Sequence, residues 1–121
     1  MQWKVQFQGA FKAEYSELSE AVQDGLAKSL LTLRKLGPQL SRPLVDTLNG
    51  SKHANMKELR FNASDGVWRV AFAFDTERAA IILVAGDKSG VKPKRFYKQL
   101  VAKADQRFDA HLEALGNSGH G

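Results

Sequence analysis

The stretch VWRVAFAFD, residues 67–75, alternates without interruption. Trp68, Val70, Phe72 and Phe74 fall on one side; Arg69, Ala71, Ala73 and Asp75 fall on the other. Successive side chains of a β-strand point to opposite faces, so this period of two specifies a strand. It also specifies the register, because a slip of one residue would turn every bulky side chain to the wrong face. One face is large and apolar and must be covered by something. The other is small except for a single arginine. Any fold open to this chain has to bury the first face and find a place for Arg69 on the second.

The flanking sequence supplies the cover. Gln2–Gln8 sets Trp3, Val5 and Phe7 against Gln2, Lys4, Gln6 and Gln8, the pattern of a short half-buried strand. Phe11, Tyr15 and Leu18 then recur at helical spacing. Ser19 is placed to cap a second helix, with Glu20 in its first turn and a stripe of Val22, Leu26, Leu30, Leu33 and Leu36. Gly37-Pro38 ends it. An irregular stretch holds Pro43, and Asn49-Gly50-Ser51 makes a turn. Leu59 and Phe61 oppose Glu58 and Arg60 on another strand, and Asp75-Thr76-Glu77-Arg78 turns the chain into the buried strand AAIILVAG. Pro93 opens a last helix whose common face is Phe96, Leu100, Ala104, Phe108 and Leu112.

These elements predict one α+β domain over residues 1–115 and a flexible tail over 116–121. Its sheet is small and antiparallel, with two N-terminal helices on one face and a C-terminal helix. Parity then puts Arg69 and Arg60 together on the opposite, barer side, with Lys88 and Tyr97 flanking it.

Charge sharpens the reading. The net charge is +5, and residues 52–103 hold eleven Lys/Arg against five Asp/Glu, while residues 1–51 are near balance at six against five. Within GDKSGVKPKRFYKQL, Lys88, Lys92, Lys94, Arg95 and Lys98 face one carboxylate, Asp87. Excess confined in this way favours a polyanion such as nucleic acid. There is no cysteine, hence no thiolate chemistry and no disulfide framework. No apolar run approaches the ~18 residues that span a bilayer, so no membrane partner is expected. The N-terminus lacks a signal-peptide core, which leaves the cytoplasm as the expected location.

Other motifs fail on spacing. Gly86-Asp87-Lys88-Ser89 has Asp87 where a phosphate-binding loop needs glycine, and no glycine five residues earlier. His53, His111 and His120 lack ligand spacing, so neither a metal nor a cofactor is expected. His53, in a loop, is better read as structural than as catalytic.

The segments RPLVDTLNGSKHANMKELRF, GVWRVAFAFD, ILVAGDKSG and KRFYKQLVAKAD, in that order, resemble the RelE/ParE superfamily of type II toxins in its phage-derived, HigB-like branch. The resemblance runs from Trp3 to about Leu112. It implies a microbial-ribonuclease-like toxin that cuts mRNA on the ribosome and arrests growth, held in check by a cognate helix-turn-helix antitoxin. ParE-type members inhibit DNA gyrase instead, and an inactive relative that retains only antitoxin binding is a third possibility. Matching positions give Arg60, Arg69, Lys88 and Tyr97 as catalytic.

Cleavage of RNA by its own 2′-hydroxyl needs a base, cations for the crowded phosphorane and an acid for the leaving 5′-oxygen. Arginine suits the phosphate clamp because its planar fork stays charged. Tyr97, among Lys94, Arg95 and Lys98, is expected to have a lowered phenol and to act as base or acid. Lys57, Lys92, Lys94, Arg95 and Lys98 are expected to hold the RNA backbone. Glu58 stands where some family members have a lysine, and the C-terminal histidines of others are absent, which leaves the general base unassigned.

Overall fold

The computed structural model describes residues 2–118. Its elements are β1 (Val5–Phe7), α1 (Gly9–Tyr15), α2 (Glu20–Leu36), β2 (Val45–Thr47), β3 (Lys57–Ala63), β4 (Gly66–Phe74), β5 (Ala80–Asp87) and α3 (Pro93–Ser118), with a 3-10 turn at Gly37–Gln39. The strands form one sheet in the order β1-β5-β4-β3-β2. Ser19 caps α2 as its position predicts, its hydroxyl accepting from the Val22 N–H at 3.3 Å. The Asp75 carboxylate closes the β4–β5 turn by accepting from the N–H groups of Glu77 and Ala79 at 2.9 and 3.0 Å. Ser64 and Asp65, both with positive φ, make the two-residue turn from β3 to β4. That geometry matches the twist of the strands it joins.

Two features depart from the expected antiparallel sheet. β1 lies parallel to β5, with Val5 opposite Ala80. Every residue from Ala80 to Val84 is buried, and a strand apolar on both faces makes a poor exposed edge, so β1 covers part of it. β2, in the stretch that reads as irregular, pairs antiparallel with β3 and places Asp46 opposite Glu58.

The sheet is covered on both sides. On one, Phe11, Leu26, Leu30 and Leu33 of the first two helices pack on Leu59, Val70 and Phe72. On the other, Phe96, Leu100, Ala104 and Phe108 of α3 pack on Ala71, Ala73, Ile81 and Leu83. The side expected to be bare is therefore half occupied, since the small Ala71 and Ala73 let a helix lie close. Arg69 and Arg60 emerge at the end where α3 begins.

A β-bulge seats that end. Ala71 pairs with Val84 but Phe72 pairs with Ile82, so Leu83 is an extra residue. Leu83 and Val84 both join the α3 side, and the parity beyond them flips. Gly86 then faces α3, where a Cβ would stand 2.9 Å from the Phe96 ring. The missing side chain is what admits the first turn of α3. At its far end α3 continues through Gly116 to Ser118, so the predicted tail is helical where it begins; residues 119–121 lie outside the described residues.

Candidate active site

β3 and β4 bring Arg60 and Arg69 into direct cross-strand register on the α3 face. Like charges so placed repel, and each must find compensation. Arg60 finds it in carboxylates. Its Nε and Nη2 donate to Glu58 Oε1 at 2.9 and 2.7 Å, and Nη2 also reaches Asp46 Oδ2 at 3.3 Å. The Glu58 hydrogen bond holds the guanidinium above the ordinary arginine value, against the lowering that burial causes. Arg69 takes another route. Its Nη1 donates to the Trp68 carbonyl at 3.0 Å, and its Nε is buried without a partner.

Glu58 is the deepest charged group here, with 2% of its surface exposed. One of its oxygens serves Arg60; the other, Oε2, is buried with no partner. Asp46 is held below the usual carboxylate range by Arg42 first, then by the Thr47 N–H and by Arg60. A cleft of about 330 Å³ opens over this group, lined by Asp46, Asn49, Glu58, Arg60 and Tyr97.

Tyr97 reaches the cleft from the first turns of α3, half-buried, its ring edge-to-face with Phe96 at 5.2 Å. Lys88 Nζ sits 5.8 Å from the Tyr97 ring centroid, within the range of a cation–π contact. The expected lowering of the phenol is reversed. Burial pushes Tyr97 up, the nearby Glu58 carboxylate adds to the rise, and Arg69 only partly opposes them. The lysines adjacent in sequence do not reverse this, because they point into water. At neutral pH Tyr97 is a neutral hydroxyl and a proton donor.

The other expected contacts divide. Lys92, Lys94, Arg95 and Lys98 are exposed, and none of them is in an ion pair among the described residues. Helical geometry sets Lys94 and Lys98 on the Tyr97 side of α3 and Arg95 nearly opposite. Lys57 shares the face of Leu59 and lines a separate hollow with Pro38 and Arg42, so it does not reach the cleft. His53 bonds Asp109 at 2.8 Å and packs edge-on against Phe108, a structural role. The residue the sequence reading missed is Asp46, which a three-residue edge strand places. Glu58 was visible in parity, two residues before Arg60.

The site thus pairs a buried carboxylate with a neutral phenol, with Arg60 in the cleft wall and Arg69 and Lys88 beside Tyr97. It offers a proton acceptor, a proton donor and positive charge for a phosphodiester. Residues 13–109 match the model of the family described as phage derived protein Gp49-like (DUF891). The chain belongs to this family.

Among relatives of this Gp49-like chain are two candidate toxins of Mycobacterium tuberculosis. HigB2 is 46% identical over 81 residues, which are 66% of this chain and 40% of HigB2. HigB3 is 46% identical over 83 residues, 69% of this chain and 70% of HigB3. The chain thus spans less than half of HigB2. A mutant of the E. coli toxin RelE in the free state superposes with a TM-score of 0.61 at 15% identity, covering 85% of this chain and 97% of RelE. The Gp49-like chain therefore has the RelE fold, with the C-terminal helix that the sequence predicts. No helix among the described residues is long and apolar enough to cross a membrane.

Proposed function

We propose that this chain is the toxin of a toxin–antitoxin pair and acts as an mRNA endoribonuclease on the ribosome, arresting translation. The observation that carries this reading is that Tyr97 lines the cleft with Lys88 Nζ 5.8 Å from its ring and Arg69 near enough to oppose the rise of its phenol. The names of its relatives, which are those of toxins, support it.

The 2′-hydroxyl of RNA is itself the nucleophile, so the chemistry needs charge stabilisation and proton transfer rather than an enzyme nucleophile. Arg69 meets the phosphorane and Lys88 adds charge. Tyr97, which holds its proton at neutral pH, donates to the leaving 5′-oxygen. Lys92, Lys94 and Lys98 track the backbone leading to the cleft. A cognate helix-turn-helix antitoxin would hold the free protein inactive.

The test is induction in a bacterium with primer extension on abundant mRNAs, beside a supercoiling assay. Cleaved mRNA with cyclic-phosphate ends, insensitive to chelators and lost in Arg69→Ala, supports the reading. Growth arrest with intact mRNA and lost supercoiling overturns it in favour of gyrase inhibition. An absence of both effects marks an inactive relative that keeps only antitoxin binding.

A further inference from the structure

Glu58 has a feature that a salt-bridge role alone leaves unexplained. Arg60 engages only Oε1, twice, while Oε2 stays buried with no hydrogen bond of sound geometry; Glu58 lines the cleft beside Tyr97, whose phenol it acts on. An orphaned buried carboxylate oxygen is costly, and fully satisfied buried polar groups are the rule. Such an atom is expected where a ligand supplies the missing donor. A hydroxyl group of the substrate would do so. The fork of Arg60, meanwhile, is shared between Glu58 and Asp46, which leaves it poorly free to clamp a phosphate.

We propose that Glu58 is the general base of the cleavage reaction and that Arg60 is a positioning residue that holds its carboxylate in place. The inference rests on the ribonuclease reading above. In the step, the O–H bond of the 2′-hydroxyl breaks and its proton passes to Glu58 Oε2. The 2′-oxygen bonds to phosphorus, the bond from phosphorus to the 5′-oxygen breaks, and that oxygen takes the phenolic proton of Tyr97. Glu58 then returns its proton to the Tyr97 phenolate. Nothing is consumed, and the product is a cyclic phosphate.

The experiment compares ribosome-bound mRNA carrying an ordinary linkage with one carrying sulfur in place of the 5′-oxygen at the cleavage site. A thiolate leaves without an acid. On the ordinary linkage, Glu58→Gln and Tyr97→Phe should each lose cleavage by about 10²-fold or more. On the sulfur linkage Tyr97→Phe should recover and Glu58→Gln should not. The role of Arg60 is read from kinetics: Arg60→Gln should lower kcat with KM near that of the parent, and Arg60→Lys, which keeps a donor for Glu58, should restore part of the loss.

Melting curves and ribosome binding close to those of the parent show that the variants are folded, and Glu58→Asp provides a second carboxylate at the site. Parent-like cleavage by Glu58→Gln, or its rescue by sulfur, overturns the assignment alone. A parent that cleaves neither linkage overturns the ribonuclease reading with it.

Discussion

Between Pro93 and Lys103, α3 carries Lys94, Arg95, Lys98 and Lys103, no carboxylate, and no ion pair among the described residues. Between Ala104 and Leu112 it carries Asp105, Arg107, Asp109 and His111, and every one is bonded. Asp105 accepts from the Ser51 hydroxyl and the Lys52 N–H, and Asp109 holds Lys52 and His53. Arg107 grips Glu14 of α1 with both Nη atoms, at 2.8 and 2.6 Å, and donates to the Leu83 carbonyl at 2.8 Å. His111 meets Asp75 in the β4–β5 turn at 2.8 Å. Both halves bury the same apolar stripe, so packing does not distinguish them. Charge does. The second half spends its ionic groups on holding the helix to four other parts of the fold; the first leaves them for something outside.

If the halves divide labour in this way, substitutions in each should separate activity from stability. The largest effect is expected at the first half and its strand partner. Tyr97→Phe and Arg69→Ala should each reduce mRNA cleavage by about 10²-fold or more while melting close to the parent. Ribosome affinity should fall less, because contacts made only in the transition state leave ground-state binding largely alone. Equal losses of binding and cleavage in both variants would break the division.

Arg107→Ala should do the reverse. It strands the Leu83 carbonyl and removes a two-pronged contact, a cost of about 1–3 kcal/mol that thermal denaturation would record as a drop of several degrees. Cleavage per folded molecule should be unchanged; a specific loss of activity at equal folded fraction would contradict the comparison.

A smaller effect is expected from replacing Lys92, Lys94 and Lys98 together by alanine. The salt dependence of RNA binding should flatten by roughly 0.7 in log–log slope for each contact removed. Stability should shift by no more than about 0.5 kcal/mol per site, as for exposed residues. An unchanged slope would mean that these lysines do not touch the backbone.

The mildest effect concerns acid. Burial pushes the Asp75 carboxyl up, but the His111 ring and the N–H groups of Ala79 and Glu77 together outweigh it and hold the group below its ordinary value. A carboxyl depressed in the folded state stabilises fully above its unfolded value, about 3.9 for aspartate. That contribution is lost as pH falls through the folded value. Melting temperature should therefore hold from neutrality to about pH 5 and fall below it. Asp75→Asn should start lower and fall less steeply, and an identical acid slope would remove Asp75 from the account.

Much of this was legible in the chain. The alternation of β4, the stripe of α3, the Ser19 cap and the shared face of Glu58, Arg60 and Arg69 all follow from periods of two or 3.6 along contiguous residues. Such periods are local, and local order survives in sequence. What went unread depends on partners distant along the chain. Nothing in Trp3–Phe7 says that this strand lies parallel to β5, and three residues near Pro43 are too few to show that β2 exists or that Asp46 meets Arg60. The bulge at Leu83, which turns Gly86 toward α3, is a mismatch between two strands and belongs to neither alone. Tyr97 shows the limit most clearly. In sequence its neighbours are cations, and they imply a lowered phenol. In the fold those cations stand in water, where screening weakens them, while burial and the Glu58 carboxylate act at close range and push the phenol up. Sequence determined which residues share a face; only the tertiary structure decided which charges are buried together, because electrostatic strength depends on depth and distance rather than on order in the chain.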